Sequence, residues 1–238
     1  MRRVGLLGGT FDPFHTGHLD IALAAEHALG LNEVILIVSN IPPHRPPPVA
    51  SSHHRFAMVA LAIVGRQHWR ASDMELASGG TSFTTDTLRR FHDAGYKPAE
   101  LFFVLGADAF ADIESWRHYP AVLEQAHFAV VSRPGAPVGS LAERLSPLAG
   151  RMTTAPPSET TGRTSIFLID AATADVSATA IRGRVARGEP IAGLVPAAVR
   201  QHIEQHGLYA PLPETSGDVA GGITSQRTSA ASRLHGQN

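Results

Sequence analysis

The chain has 238 residues, with 20 Lys and Arg against 21 Asp and Glu and a formal net charge of -1. That suits one α/β domain, or a domain with a small appendage, and gives no whole-chain attraction to nucleic acid or an anionic membrane, although a local basic site for a small anion stays open. Cysteine is absent, which excludes disulfides, thiolate nucleophiles and cysteine–zinc sites and fits a reducing cytoplasm.

In chain order, Met-Arg-Arg leads directly into an apolar run with no signal-peptide pattern, and no run approaches the ~20 apolar residues that span a bilayer. Arg3–Leu7 reads as a buried strand and Leu19–Leu29 as a helix. Val34–Val38 is a second strand, and His54–Val64 a helix with Phe56, Val59, Ala60 and Ile63 on one face. Thr85–Ala94 is helical and ends at Gly95, a C-cap residue. Leu101–Leu105, Phe128–Ser132 and Ile166–Ile169 are further apolar runs. The segment 134–157 is rich in Pro, Gly and Ser and reads as a surface excursion with one short helix at Leu141–Leu145. Residues 1–210 form the domain, and 211–238 read as a disordered low-complexity tail, too poor in apolar periodicity to offset their ordering entropy.

Strands apolar on both faces and separated by helices point to a Rossmann-like, doubly wound parallel sheet with helices on both faces. Ligands in such sheets bind outside the carboxyl ends of the strands. The stretches that follow strand ends are Gly8–His18, Ser39–Arg45, Gly106–Asp108, Arg133–Gly135 and Asp170–Ser177.

The first of these reads GGTFDPFHTGH. Gly8 and Gly9 let a ligand approach the backbone, and the helix that follows offers free N–H groups to an anion. The adjacent glycines do not fit the dinucleotide fingerprint, and no Gly-Lys-Ser/Thr follows as in a P-loop. His15 and His18 are three apart across a glycine, unlike the i, i+4 spacing of a helical metal pair. Their N–H groups suit a phosphate whose charge grows, and by themselves they also fit a local cap and a helix-start histidine. Later in the chain, Ser177 or Thr179 can cap a helix over Ala180–Arg187, with Arg182 as a bidentate cation or a solvated side chain.

The string GGTFDPFHTGHL resembles the first signature of the HxGH nucleotidyltransferase superfamily, and Ser177-Ala178-Thr179-Ala180-Ile181-Arg182 resembles its S-x-T-x-I-R signature. Four further stretches, PPHR at 42–45, SFTTDTL at 82–88, Gly106-Ala107-Asp108, and Trp116 before Arg117-His118-Tyr119, are similar to bacterial nicotinate-nucleotide adenylyltransferases, as is LVPAAVRQHIEQHGLY at 194–209. The resemblance covers residues 1–210 and implies the nucleotidyltransferase type of fold. It implies that nicotinate mononucleotide and ATP, with Mg²⁺ carried on the phosphates, give deamido-NAD and pyrophosphate in NAD biosynthesis. It assigns His15, His18 and Arg182 to catalysis. Gly8, Gly9, Thr10, Phe11, Gly106, Asp108, Ser177, Thr179 and Ile181 join them around ATP, and His44, Arg45, Thr84, Thr85 and Trp116 surround the mononucleotide. No protein side chain is expected on the metal. Asp12 is compatible with a water-mediated contact to Mg²⁺ but reads first as a turn residue before proline and stays outside the catalytic set, and His53 and His54, at a helix start, read as solvated. A homo-oligomer is compatible with all of this.

Three other readings share part of the pattern. A sister enzyme would use nicotinamide mononucleotide or phosphopantetheine, although the phosphopantetheine enzymes lack the SFTTDTL and Trp116 stretches. A non-catalytic nucleotide sensor would have no need of His15, His18 and Arg182. A class I aminoacyl-tRNA synthetase would be longer and carry a lysine loop.

Overall fold

The computed structural model describes residues 2–43, 46–157 and 163–211. His44 and Arg45, and the tail from 212 onward, lie outside the described residues. Seven parallel strands form one sheet in the order β3-β2-β1-β4-β5-β7-β6. They are β1 (Val4–Gly9), β2 (Glu33–Val38), β3 (Trp69–Ser72), β4 (Leu101–Gly106), β5 (His127–Val131), β6 (Met152–Thr153) and β7 (Ile166–Ile169). The chain runs outward from β1 through β2 to β3, then returns to place β4 on the other side of β1. The reversal makes the β1–β4 boundary the topological switch point, where ligands bind in open α/β sheets.

The continuous apolar runs serve both faces because side chains alternate along a strand. In β4, Phe102 and Val104 join one buried cluster and Leu101, Phe103 and Leu105 the other. In β2, Val34, Leu36 and Val38 divide from Ile35 and Ile37 in the same way. The first cluster is completed by α1 (Thr16–Leu29), α2 (Ser52–Ala62), α7 (Ala178–Ala186) and α8 (Ala197–Gln205), the second by α4 (Thr84–Asp93), α5 (Ala107–Phe110) and α6 (Leu141–Arg144). A further short helix, α3 (Met74–Ser78), follows β3. A Cβ on Gly5 would stand 2.6 Å from Leu31 Cδ1, so a side chain there would displace Leu31.

Most expected elements are present with shifted ends. Helix α1 starts three residues before Leu19, α2 starts at Ser52 and is capped by Ser51, and α7 starts at Ala178 rather than Ala180. Ser177 is its N-cap, accepting from the Ala180 N–H at 3.2 Å. Strands β3 and β6 had no strong sequence signal: one is WRAS and the other two residues long. The excursion at 134–157 holds α6 between 3₁₀ turns at Val138–Ser140 and Ser146–Arg151 before it ends in β6.

Candidate active site

The loop after β1 is drawn into a fixed shape by buried groups. A Cβ on Gly9 would lie 2.7 Å from the Phe11 ring. Phe11 has φ 50°, a left-handed conformation that costs a non-glycine residue about 1 kcal/mol, and its ring is buried against Phe14 and, edge-on, His18 at 5.0 Å. Its side chain therefore shapes the loop, leaving only its backbone for a ligand. Asp12 is 4% exposed. Its carboxylate accepts from the Val49 N–H (2.7 Å), the Ala50 N–H (3.0 Å) and the Tyr209 hydroxyl (2.8 Å). Burial pushes the Tyr209 phenol well above its usual range, and the Asp12 charge and hydrogen bond add to the shift. Arg55, 2% exposed, donates to the carbonyls of Thr10 (2.8 Å) and Ser39 (2.7 Å). Burial lowers its pKa and Asp12 opposes that.

At the mouth of α1, His15 is the N-cap residue, and its N–H donates to His18 Nδ1 at 3.2 Å. A nitrogen that accepts carries no proton, so the neutral His18 ring keeps its N–H on Nε2. The two rings stack 3.6 Å apart, 22° from parallel. Gly17 makes room for this: a Cβ there would be 3.2 Å from His15 Nδ1 and 3.4 Å from Ala174 O. His15 is itself 3% exposed, with a buried Nδ1 that has no hydrogen-bond partner. Burial brings its pKa down to about 4, and the Arg133 guanidinium adds to the shift. The expected contact from His15 to a triphosphate therefore requires its cover to move. In the described conformation its ring supports His18.

Arg182 comes from the other end of the fold. Its Nη1 donates to the Asp12 carbonyl at 2.7 Å and its Nη2 to Thr179 Oγ1 at 3.2 Å. The two signatures are thus joined, with 170 residues between the bonded pair. Ile181 is fully buried and contributes packing. At the end of β4, a Cβ on Gly106 would collide with the Asp108 carboxylate and come within 2.7 Å of Arg133 Cδ. Asp108 is exposed. Arg133, on the loop after β5, donates to Val176 O at 3.1 Å beside the Ser177 cap.

A cavity of about 420 Å³ opens beside these strand ends. Gly8, Ser39, Phe103 and Leu105 form its floor, and Thr84, Trp116, Arg117 and Glu75 are among its walls. Trp116 stands edge-on to Phe103 at 5.9 Å and keeps surface on the cavity. Helix α4 begins at Thr84, so its first N–H groups have no intrahelical partner. Thr85 is 5% exposed, and its hydroxyl accepts from Gln125 Nε2 at 3.1 Å and lies 3.4 Å from His118 Nδ1, so the hydroxyl is engaged within the protein beside the open backbone N–H groups of the helix start. Arg117 lies over the Phe83 ring at 4.6 Å and pairs with Asp86 at 3.4 Å. Glu75 accepts from the Thr87 hydroxyl, and burial raises its pKa.

The Cytidylyltransferase-like family profile matches residues 6–184. A Bordetella petrii protein named "Probable nicotinate-nucleotide adenylyltransferase" is 40% identical over 211 residues, 88% of this chain and 100% of that one. A Desulfitobacterium hafniense protein of the same name is 39% identical over 209 residues, 87% of this chain and 96% of its own. The chain belongs to the nicotinate-nucleotide adenylyltransferase family. Among solved structures, Plasmodium falciparum nicotinic acid mononucleotide adenylyltransferase complexed with NaAD superposes with a TM-score of 0.68 at 17% identity, covering 88% of this chain and 98% of that one. At that identity the likeness is one of fold. Among the described residues no helix is long and apolar enough to cross a membrane.

Arg55, Tyr209, Arg133 and Glu75 were not singled out as site residues from sequence. Arg133 had a signal, its place after a strand end. Tyr209 ends the family-like string at 194–209 but had no role assigned, and Arg55 and Glu75 lie on helices with nothing local to mark them.

The buried histidines set a pH dependence. His127 stacks on Phe102 at 4.8 Å, its Nδ1 accepts from the Ser165 N–H, and burial takes its pKa, like that of His15, to about 4. Both rings stay neutral in the fold while the unfolded chain protonates them near 6.5. Stability is then full above about pH 6.5 and falls as pH drops toward 4, with about two protons taken up on unfolding near pH 5 from this pair. Urea unfolding from pH 7.5 to 4.5 checks this, and a flat profile would contradict it.

Proposed function

We propose that the protein transfers the adenylyl group of Mg–ATP to nicotinate mononucleotide, releasing pyrophosphate and deamido-NAD. An oxygen of the mononucleotide phosphate attacks the α-phosphorus of ATP, and the bond to the bridging oxygen of pyrophosphate breaks. The second pKa of a phosphate monoester is about 6, so the nucleophile is a dianion at neutral pH and needs no base. What the reaction requires is alignment and donors where charge grows. The observation that carries this reading is the fixed His18 ring, its Nδ1 held by the His15 N–H at the mouth of α1, beside a loop that Arg182 also reaches.

In this reading His18 donates to the α-phosphate. The start of α1, with Gly8, Gly9 and the backbone of Thr10 and Phe11, holds the triphosphate, and His15 supports His18. Arg182, with the Ser177-capped start of α7 and Thr179, receives the leaving pyrophosphate, and Arg133 adds a cation from the β5 side. Gly106 allows close approach of the nucleotide, and Asp108, just beyond it, bonds the ribose. Magnesium enters on ATP as part of the substrate. Asp12, its carboxylate committed to Val49, Ala50 and Tyr209, is a brace. The cavity takes the pyridine end, stacked on Trp116, with the nicotinate carboxylate at the orphan N–H groups of Thr84 and Thr85 and near Arg117. His44 and Arg45 remain the candidates for the mononucleotide phosphate.

Two measurements check this. His18→Ala should lower kcat by about 10²–10³ with little change in the KM for ATP, the usual effect of losing one donor to developing charge. Near wild-type turnover in a folded variant would remove His18 from the chemistry. Incubation with Mg–ATP and each acceptor, with products read by mass, should give deamido-NAD. The kcat/KM for nicotinate mononucleotide should exceed that for the amide by roughly tenfold to a hundredfold, because the amide NH₂ meets N–H donors that it cannot satisfy. Equal values would contradict the acceptor assignment and leave adenylyl transfer standing.

A further inference from the structure

Three histidines outside the candidate active site meet at the seam between α2 and α8. His54 Nδ1 and His202 Nε2 are 3.1 Å apart, and one ring nitrogen from each of His54, His202 and His206 lies within 4.8 Å of the others. His202 and His206 are four apart, one turn of helix, and face His54 across the seam: the His206 ring centroid is 4.9 Å from that of His54 and 4.4 Å from that of His202. His54, expected to be solvated, is half-buried in this cluster. We propose that His54, His202 and His206 form a binding site for Zn²⁺.

The geometry is close to what zinc requires. Tetrahedral Zn–N bonds of 2.0–2.1 Å set ligand nitrogens about 3.3 Å apart. The His54–His202 pair already has nearly that separation, and rotation of the exposed His206 ring brings in the third nitrogen. The proton now shared between His54 and His202 moves to the far nitrogen of its own ring, so both facing lone pairs turn to the metal. Three imidazoles leave a fourth position for water on the solvent side. Imidazole also suits Cu²⁺ and Ni²⁺, so the site is defined by its nitrogen donors, and Zn²⁺ matches its tetrahedral spacing.

The position gives the site a consequence. Residue 55, next to His54, is the arginine that holds the Thr10 and Ser39 carbonyls. The turn after α8 carries Tyr209, which bonds Asp12. A metal at the seam clamps together the two elements that brace the loop after β1.

The test is zinc titration of tag-free, metal-stripped protein without ATP, followed by calorimetry and by thermal unfolding. The expected result is one Zn²⁺ per chain and a rise in Tm of about 5–10 °C at a hundredfold excess over Kd. His206→Gln, at an exposed position, should weaken binding at least tenfold and cut the Tm rise at the same zinc concentration to half or less, as should His202→Ala. His53→Ala, one residue from the cluster and exposed, should match wild type. No binding in wild type, or equal binding in His206→Gln, overturns the proposal. A poorly folded His202→Ala leaves the decision to His206→Gln.

Discussion

The carboxylate of Asp12 ties together parts of the chain that no local rule joins. It accepts from the backbone at Val49 and Ala50, ahead of α2, and from Tyr209 beyond α8, while the Asp12 carbonyl accepts from Arg182 of α7. Arg55 closes the same knot from α2 through Thr10 and Ser39. A buried acceptor stripped of a partner costs roughly 1–3 kcal/mol, so these bonds are a strong constraint on a loop that also holds Phe11 in a left-handed conformation. The left-handed turn at Phe11 puts its ring against His18, and the His15 N–H orients the His18 ring. The orientation of the His18 ring, the proposed donor, is thus built from backbone carbonyls, one carboxylate and two stacked rings.

The switch point then divides the work. The first signature and Arg182 lie on the face covered by α1 and α7, where charge is concentrated in N–H groups and guanidinium. The cavity opens on the α4 and α5 face, apolar at its floor and lined by Trp116, Thr84 and Arg117. Gly8, at the end of β1, belongs to both. In the proposed reading, two substrates presented from opposite faces of the same strand ends meet in line, which is the geometric requirement for nucleotidyl transfer.

Much of this was legible in the sequence because the relevant signals are short and stereotyped. Alternating apolar runs and helices give the parallel sheet, GGTFDPFHTGH gives the strand-to-helix mouth, and Ser177 is a capping residue whose effect is local. What the sequence left out has a common origin in long-range contacts. Thr85 is expected around the mononucleotide, and that its hydroxyl accepts from Gln125, 40 residues away, shows only in the fold. His15 reads as an open donor until it is seen to be buried. Asp12 reads as a turn residue, and its role as a brace depends on Tyr209, 197 residues away. His54 reads as solvated because its partners are on the last helix. Periodicity and capping report on neighbours in sequence, and none of these partners is one.

The central proposal is that the protein supplies fixed donors to the α-phosphate of ATP while the nucleophile arrives already ionised, with no protein base. The most direct measurement is the pH profile of kcat/KM for nicotinate mononucleotide in wild type and His18→Ala. The account predicts the same acid limb near pH 6 in both, set by the second ionisation of the substrate phosphate, with only the plateau lowered in the variant. Loss of that limb in His18→Ala would make the ring the proton acceptor and contradict the account.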